Sequence, residues 1–448
     1  MKKNNLKRMI YGALAAVMSL ALLSGCGTKN VETVIETTTE KAAAETSSES
    51  TDGAQDTASV GFGLGSTGEA SDAVMLEDIP VVHNTNFGGM NMEIAIDEFN
   101  DAGFCYGDSV RITLSNGKVY EDIPYFDGYH TRTGELVLCA YPGYTSIHFT
   151  RNNSGDIWDE GDAEEVLFTL GEEPESDLWT ELGLSEDEET LTATIEVTDA
   201  GLYIDTENAM SLSYYDDRER YDSDIIFANF RTLSCGNIKE GTVYRSASPC
   251  NNEHNRASYV DALAQENGIN FILNLADNEE EVAGYMEAED FNSPYFESLL
   301  DAGKVSLIDL TAAYRTENFI NKTAEGFIAM SEAEPPYLFH CTEGKDRTGF
   351  VAILIESLCG ATYDEMKDDY MVTYFNYYGV DEESTPETYA AIVDVKFNDM
   401  VFYLENLEYG DDAEETENVD FAACARDYLR MGGMTDEQID TLVGKISK

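Results

Sequence analysis

Ten consecutive residues, "HCTEGKDRTG" at positions 340 to 349, combine a thiol, several charged side chains and two glycines. The stretch follows an apolar run of strand length, "PYLFH", and precedes a helix-forming run. In a tight loop that leads into a helix, the backbone amides converge on one point. With the positive end of the helix dipole they form a binding site for phosphate or a similar anion. We call residues 341–347 the anion loop.

Cys341 and Arg347 are spaced for phosphoryl transfer. Backbone amides, the helix dipole and the cations Lys345 and Arg347 would stabilise a Cys341 thiolate, which is the nucleophilic form of cysteine. The planar guanidinium of Arg347 can bind two phosphoryl oxygens while the sulfur attacks in line, which gives a phosphocysteine intermediate. Gly344 and Gly349 allow the backbone to approach the ligand closely. The predicted phosphate-binding residues are Thr342, Glu343, Gly344, Lys345, Asp346 and Arg347.

The elements that position this loop follow an α/β pattern. Short apolar runs at 270–275, 304–310 and 336–340 are of strand length, and stretches of helical period such as "NFINKTAEGFIAM" separate them. This alternation predicts a mostly parallel sheet covered by helices, followed by C-terminal helices. The anion loop would lie at the carboxyl end of a strand, where open α/β sheets bind ligands.

The same residues resemble a known family. "HCTEGKDRTG" is similar to the signature loop of the cysteine-based protein tyrosine phosphatases, and more narrowly to the bacterial atypical branch whose loop reads G-K-D-R-T-G. "NFRTLSCGNIKEGTVYRSASP", "GINFILNLADNEEE" and "DYMVTYFNYYG" extend the resemblance over residues 225–448. It implies hydrolysis of phosphotyrosine, and in some members of phosphoinositides, with no cofactor and no metal.

The resemblance also implies roles for individual residues. Cys341 would be the nucleophile, Arg347 the phosphate clamp and Lys345 a second cation at the site. The Thr348 hydroxyl would assist release of the thiolate, and His340 would orient and acidify Cys341 by hydrogen bonding.

The general acid stays open between candidates. Asp346 is the acid that the G-K-D-R branch implies, whereas Asp309 has the spacing before Cys341 that is usual for the mobile-loop acid of other branches. Asp277 is a third candidate.

Two positions depart from the family: Ala276 stands where an arginine is usual, and Glu343 replaces a small residue, which disfavours substrates with many phosphates.

The N-terminal segment has the pattern of an export signal. Residues 1–25 have a basic start and an apolar run, and "LLSGC" resembles the lipobox of bacterial lipoproteins, in which Cys26 would become lipid-modified. Residues 26–74 are rich in Thr, Glu, Ser, Ala and Gly and predict a disordered stalk. We therefore expect an exported protein, anchored by lipid to the outer face of a bacterial membrane.

A β-rich domain is predicted between the stalk and the α/β domain, at residues 75–215. Apolar and polar residues alternate in "SVRITLSNGKVYEDIPYF" on both sides of Asn116 and Gly117, which is a hairpin signal. The surrounding run, with its "GD", "PYF", "GEL" and "GY", is similar to the C-terminal β-barrel domain of the S-adenosylmethionine hydroxide adenosyltransferases. A small barrel-like domain of unknown role is expected.

The charge composition argues against a nucleic-acid-binding function. The 448 residues include 87 acidic and 27 basic side chains, a formal net charge of −60, which repels nucleic acid. The leading hypothesis is a phosphatase for phosphoproteins. The alternatives are a phosphatase for phosphoinositides or inositol phosphates, and a non-catalytic surface lipoprotein that binds a partner.

Overall fold

In the first folded part of the chain, buried and exposed side chains alternate along β-strands. The computed structural model describes residues 74–84, 89–152, 178–184, 191–410 and 418–448. The predicted signal segment and almost all of the predicted stalk lie outside these residues. Within the described part, no helix combines the length and apolar character that crossing a membrane requires.

Seven strands form a closed barrel in the order β1-β2-β6-β5-β4-β3-β7. Their bounds are β1 Met75–His83, β2 Met90–Met92, β3 Ser109–Leu114, β4 Val119–Phe126, β5 Leu136–Cys139, β6 Ile147–Arg151 and β7 Leu191–Asp199. The β3–β4 hairpin forms as predicted, with Asn116 and Gly117 at its tip and Thr113 opposite Val119. Side chains at alternate positions fill the barrel, as Val110, Ile112 and Leu114 do from β3.

The second part is built on a five-stranded sheet in the order β11-β10-β12-β9-β8. The strands are β8 Arg231–Thr232, β9 Val243–Ser246, β10 Phe271–Asn274, β11 Val305–Leu307 and β12 Tyr337–His340. β9, β10, β11 and β12 run parallel, and β8 is an antiparallel edge strand. The predicted α/β arrangement is confirmed, and β12 occupies the centre of the sheet.

Helices precede, cover and extend this sheet. Their bounds are α1 Ile96–Asp101, α2 Leu178–Glu181, α3 Ile204–Met210, α4 Asp224–Phe227, α5 Ala257–Glu266, α6 Glu279–Met286, α7 Pro294–Asp301, α8 Glu317–Glu332, α9 Asp346–Leu358, α10 Tyr363–Tyr378, α11 Pro386–Ile392, α12 Asn398–Tyr409, α13 Phe421–Met431 and α14 Asp436–Ile446. A π-helical turn, Val393–Phe397, joins α11 to α12. Helix α9 is buried from Thr348 to Leu358, because sheet and C-terminal helices enclose it on all sides.

The barrel contacts the C-terminal α/β domain through its loop after β4. The backbone amide and the hydroxyl of Thr133 donate to the carboxylate of Asp399 in α12, at 2.8 and 3.1 Å. Beside this contact, Arg132 lies 3.8 Å from Asp394 in the π-helical turn. These contacts fix one end of the barrel against the helices that follow the sheet.

Candidate active site

The anion loop connects the central strand of the sheet to helix α9. His340 ends β12, opposite Asn274 of β10 and Ser246 of β9, and Cys341 follows it directly. The Cys341 side chain is buried, with only 3% of the residue exposed. Since α9 begins at Asp346, its N-terminal amides and the positive end of its dipole face the loop that contains Cys341.

Backbone carbonyls of the anion loop are turned outward and bound by donors from neighbouring elements. The carbonyl oxygen of Thr342 accepts from the amide of Ser248 at 3.1 Å. The carbonyl oxygen of Glu343 accepts from the hydroxyl of Tyr377, in α10, at 2.6 Å. In a trans peptide the amide hydrogen points away from the carbonyl, so each of these contacts directs the following amide toward the inside of the loop.

The next carbonyl, that of Gly344, is held most firmly. It accepts from the guanidinium of Arg245 at 2.9 Å and from the amide nitrogen of Asn229 at 3.1 Å. Both donor side chains are completely buried. Three consecutive carbonyls therefore face out and three consecutive amides face in, which is the geometry of a backbone anion nest.

Only glycine fits at position 344. Its φ is +71°, in the left-handed region that residues with a Cβ adopt reluctantly. An added Cβ would lie 2.3 Å from the carbonyl oxygen of Ser246 at the end of β9. Gly344 thus lets the anion loop pack directly on the neighbouring strand.

Arg347 spans the mouth of the loop from the first turn of α9. One terminal nitrogen donates to the carbonyl oxygen of Leu310 at 2.9 Å, and the other donates to the hydroxyl of Thr342 at 3.2 Å. These two contacts fix the guanidinium against the anion loop at Thr342.

Lys345 and Glu343 form an ion pair beside the loop, with 3.1 Å between Nζ and the carboxylate. Burial alone would lower the pKa of Lys345, but the carboxylates of Asp346 and Glu343 outweigh it and hold that pKa well above its usual value. Burial would raise the pKa of Glu343, yet Lys345 and the hydroxyl of Tyr214, at 2.7 Å, hold it below its usual value. The Glu343 charge is therefore engaged locally and does not project freely into solvent.

His340 and Thr348, on the two sides of the loop, are both completely buried. The Nδ1 atom of His340 lies 3.2 Å from the carbonyl oxygen of Cys341, so this histidine contacts the backbone of the nucleophile candidate. Burial lowers the pKa of His340 to about 4, which keeps the ring neutral at pH 7. The Thr348 hydroxyl has no hydrogen-bond partner among the described residues.

The three candidate acids lie in different surroundings. Asp346 has a side chain 52% exposed and lines a cavity beside the anion loop. Asp309 lines a separate pocket, which no residue of the anion loop borders, and its carboxylate lies 3.7 Å from Lys322. Asp277 is buried and accepts from the side chains of Asn274 and Tyr285. The structure thus brings only Asp346 into the anion loop.

A network of charged side chains beneath the loop was not predicted from the sequence. Asp369 of α10 bridges Arg245 at 2.7 Å and Arg231 at 2.8 Å. Glu356 of α9 is completely buried nearby, and burial together with the Asp369 carboxylate raises its pKa well above the usual value. An arginine inside the otherwise strand-like run "VYRS" was the available signal, because a charge in a central strand needs a buried partner.

One group of side chains in the described part has the spacing of metal ligands. Ligand atoms of Asp127, His130 and Glu207 lie within 4.8 Å of one another at one end of the barrel. None of them belongs to the anion loop.

Six cysteines in the described part of the chain have free thiols: Cys139, Cys235, Cys250, Cys341, Cys359 and Cys424.

Comparison with known proteins supports the resemblance of the loop. Residues 227–447 match the family model described as "Tyrosine phosphatase family". Over 46 residues the chain is 41% identical to a candidate tyrosine-protein phosphatase of Cupriavidus necator. The aligned segment covers 10% of this chain and 17% of that protein. The match thus spans less than a fifth of that curated relative.

Two solved structures also align with the chain. The Siw14 catalytic core is 17% identical, with 41% of this chain and 90% of that chain covered at a TM-score of 0.23. The core catalytic domain of the PP-IP phosphatase SIW14 from S. cerevisiae, in complex with citrate, is 18% identical, with 36% and 94% covered at a TM-score of 0.22. The family model thus matches the whole C-terminal α/β domain, residues 227–447, and that match includes the anion loop.

Proposed function

We propose that this protein hydrolyses phosphate monoesters, phosphotyrosine foremost, through a phosphocysteine intermediate. One observation carries the proposal: the outward carbonyls of Thr342, Glu343 and Gly344 leave three amides directed into a loop that has Cys341 at its base and Arg347 at its mouth. Donors already in place for the equatorial phosphoryl oxygens stabilise the charge of the transition state.

In the first step, the Cys341 thiolate attacks phosphorus opposite the ester oxygen. The phosphorus–sulfur bond forms as the phosphorus–oxygen bond to the leaving group breaks. A protonated Asp346 carboxyl gives its proton to the leaving oxygen, so the alcohol departs neutral. Arg347 and the amides of the anion loop hold the three remaining oxygens throughout.

In the second step, water attacks the phosphocysteine. The Asp346 carboxylate accepts a proton from that water, the phosphorus–sulfur bond breaks, and inorganic phosphate leaves. The departing thiolate needs a hydrogen-bond donor. The Thr348 hydroxyl is buried and bonds to no other described residue, which supports its assignment to that role.

Placement favours Asp346 over Asp309 as the general acid. Asp346 borders the cavity beside the anion loop, whereas Asp309 borders another pocket and lies close to Lys322. A carboxyl that protonates the leaving group must come within hydrogen-bond reach of the ester oxygen. Asp346 belongs to the anion loop itself and has a side chain 52% exposed, which supports its assignment as the acid.

Phosphoinositides and inositol phosphates are the alternative substrates. Glu343, which we expected to disfavour them, has its charge paired with Lys345, and this weakens the electrostatic argument against polyphosphorylated ligands. The third hypothesis, a non-catalytic binding lipoprotein, has less support because the chain carries both Cys341 and Arg347.

Export and lipid modification at Cys26 form part of the proposal. The support is the lipobox-like "LLSGC" after an apolar run. Expression of the full chain in a bacterium with membrane fractionation tests it. We expect the wild type in the membrane fraction, with a diacylated N-terminal cysteine by mass spectrometry, and Cys26→Ser without that modification; an unmodified Cys26 in the wild type would contradict it.

Trapping the intermediate tests the proposed chemistry. Wild-type protein is mixed with an aryl phosphate, quenched within milliseconds and digested. We expect one added phosphoryl group on the peptide that contains Cys341, and no adduct in Cys341→Ser. A steady-state turnover without this adduct would refute the phosphocysteine route.

A further inference from the structure

A cavity of about 360 Å³ lies where the barrel meets the C-terminal domain. Lys345 and Asp346 border it, so it adjoins the anion loop. The barrel contributes Thr131 to its lining, and the π-helical turn contributes Lys396. Residues from both domains therefore line a single cavity that reaches the anion loop at Lys345 and Asp346.

Lys396 is a cation without a direct side-chain partner among the residues that the structure describes. Its ammonium group makes no ion pair and no hydrogen bond with any residue in the described part of the chain. Burial lowers its pKa, and the charge of Lys345 acts in the same direction, while Asp346 and Asp399 oppose the shift. A partly desolvated ammonium that lacks a hydrogen-bonded anion is costly in free energy, and an anionic ligand would relieve that cost.

The carboxylates near Lys396 are engaged elsewhere. Asp399 accepts from Thr133 and pairs with Arg315 at 2.7 Å. Asp346 lies 3.7 Å from Lys345. Lys396 itself sits in a π-helical turn, a rare distortion that occurs frequently at functional sites.

Thr131 gives an independent sign of a missing ligand. It is 9% exposed, and its hydroxyl is buried without any hydrogen-bond partner in the described residues. The side chain of Asn152 donates to its carbonyl oxygen, so the backbone at this position is fixed. A buried hydroxyl and an ammonium, both without a partner among the described side chains, thus border the same cavity from two domains.

The geometry points to a second anion subsite, in which Lys396 and Thr131 bind a further phosphate or carboxylate group of the same substrate molecule whose scissile phosphate occupies the anion loop. This inference rests on the proposed function. It gives the barrel a role, since one of the two subsite residues belongs to it. Thr133 and Asp399 are close in sequence to Thr131 and Lys396, respectively. The hydrogen bonds from Thr133 to Asp399 hold the barrel and the C-terminal domain together at this cavity.

Matched substrate pairs test the subsite on the full-length protein. The first pair is a phosphotyrosine peptide with alanines beside the phosphotyrosine and the same peptide with glutamates there. The second pair is an inositol monophosphate and an inositol bisphosphate. The measured quantity is the ratio of kcat/KM within each pair, because a change in the shared phosphate site affects both members alike.

We expect the wild type to prefer the more anionic member of at least one pair, and Lys396→Gln to reduce that preference at least about tenfold, the effect of losing one charge-assisted hydrogen bond. Thr131→Val should reduce it by a smaller factor without lowering the melting temperature, because the lost hydroxyl bonds to none of the residues that the structure describes. Lys118→Gln, in the exposed β3–β4 turn, is the charge-matched control and should leave both ratios unchanged.

The pair that responds identifies the source of the second anion, a peptide carboxylate or a second phosphate. Equal use of both members by the wild type, or ratios that Lys396→Gln and Thr131→Val leave unchanged, would overturn the subsite while Cys341-dependent turnover persisted. Loss of the proposed function is a separate result, because no substrate would then be hydrolysed in a Cys341-dependent way.

Discussion

The guanidinium of Arg245 donates a 2.9 Å hydrogen bond to the carbonyl oxygen of Gly344, although the Arg245 side chain is completely buried. Asp369 balances its charge at 2.7 Å. The contact turns the Gly344 carbonyl outward and so directs the Lys345 amide into the anion loop. A buried ion pair thereby shapes a backbone nest without touching the anion that the nest would bind.

Arg245→Lys should weaken the nest. Lysine cannot reproduce the two-pronged geometry that joins Gly344 to Asp369, so the affinity for inorganic phosphate and kcat should each fall at least about tenfold. Disturbing the buried pair should also lower the free energy of unfolding by about 3 kcal/mol. Calorimetric phosphate binding and chemical denaturation measure the two effects. Arg220→Lys, at a side chain 56% exposed, is the control, and full phosphate affinity in Arg245→Lys would refute the positioning role.

Gly344→Ala and Gly303→Ala form a matched pair. Their φ angles are +71° and +68°, but a Cβ would meet the Ser246 carbonyl oxygen at 2.3 Å at position 344 and no atom within 4 Å at position 303. Gly303→Ala should cost about 1 kcal/mol of stability and keep its activity. Gly344→Ala should lose turnover and phosphate binding. Similar activity in the two variants would show that the close approach to β9 is unimportant.

Asp346→Asn should affect substrates according to their leaving group. Loss of a general acid slows release of a poor leaving group by roughly 10²–10⁴-fold but hardly affects a good one. We therefore expect a large loss of kcat/KM with phenyl phosphate and a small loss with p-nitrophenyl phosphate. Asp309→Asn should show no such dependence. The reverse pattern would assign the acid to Asp309.

Glu405 should make stability depend on pH. Burial raises its pKa to about 7 from 4.5, so between these values the folded state binds more protons than the unfolded state. Stability therefore falls as the pH rises through this window. Glu405→Gln should raise the melting temperature relative to the wild type at pH 8 and much less at pH 4.5. Glu266→Gln, exposed at the end of α5, is the control; an equal effect of Glu405→Gln at both pH values would contradict the shift.

Local patterns in the sequence were sufficient to predict three of the five strands of the sheet and the position of the anion loop. The runs at 270–275, 304–310 and 336–340 contain β10, β11 and β12, and α9 follows the loop. Each signal extends over a few neighbouring residues. The β3–β4 hairpin was predictable for the same reason, because turn chemistry and alternation are both local.

Contacts between distant parts of the chain could not be predicted in this way. Arg245 precedes the loop in the chain and Tyr377 follows it. No spacing rule in the sequence connects these two residues to Gly344 or Glu343, whose carbonyl oxygens they bind. Closure of the barrel depends on the pairing of β1 with β7 and on a parallel contact between β4 and β5. The contact of Thr133 with Asp399, which brings the barrel to the anion loop, joins residues more than half the chain apart.

The most direct test of the central claim is hydrolysis of p-nitrophenyl phosphate by the wild type and by Cys341→Ser, each with a chelator present. The proposed mechanism uses the Cys341 thiolate as nucleophile and routes no step through a metal. We predict sustained turnover by the wild type and turnover at the background rate by Cys341→Ser. Equal turnover by the two proteins, or none by either, would contradict it.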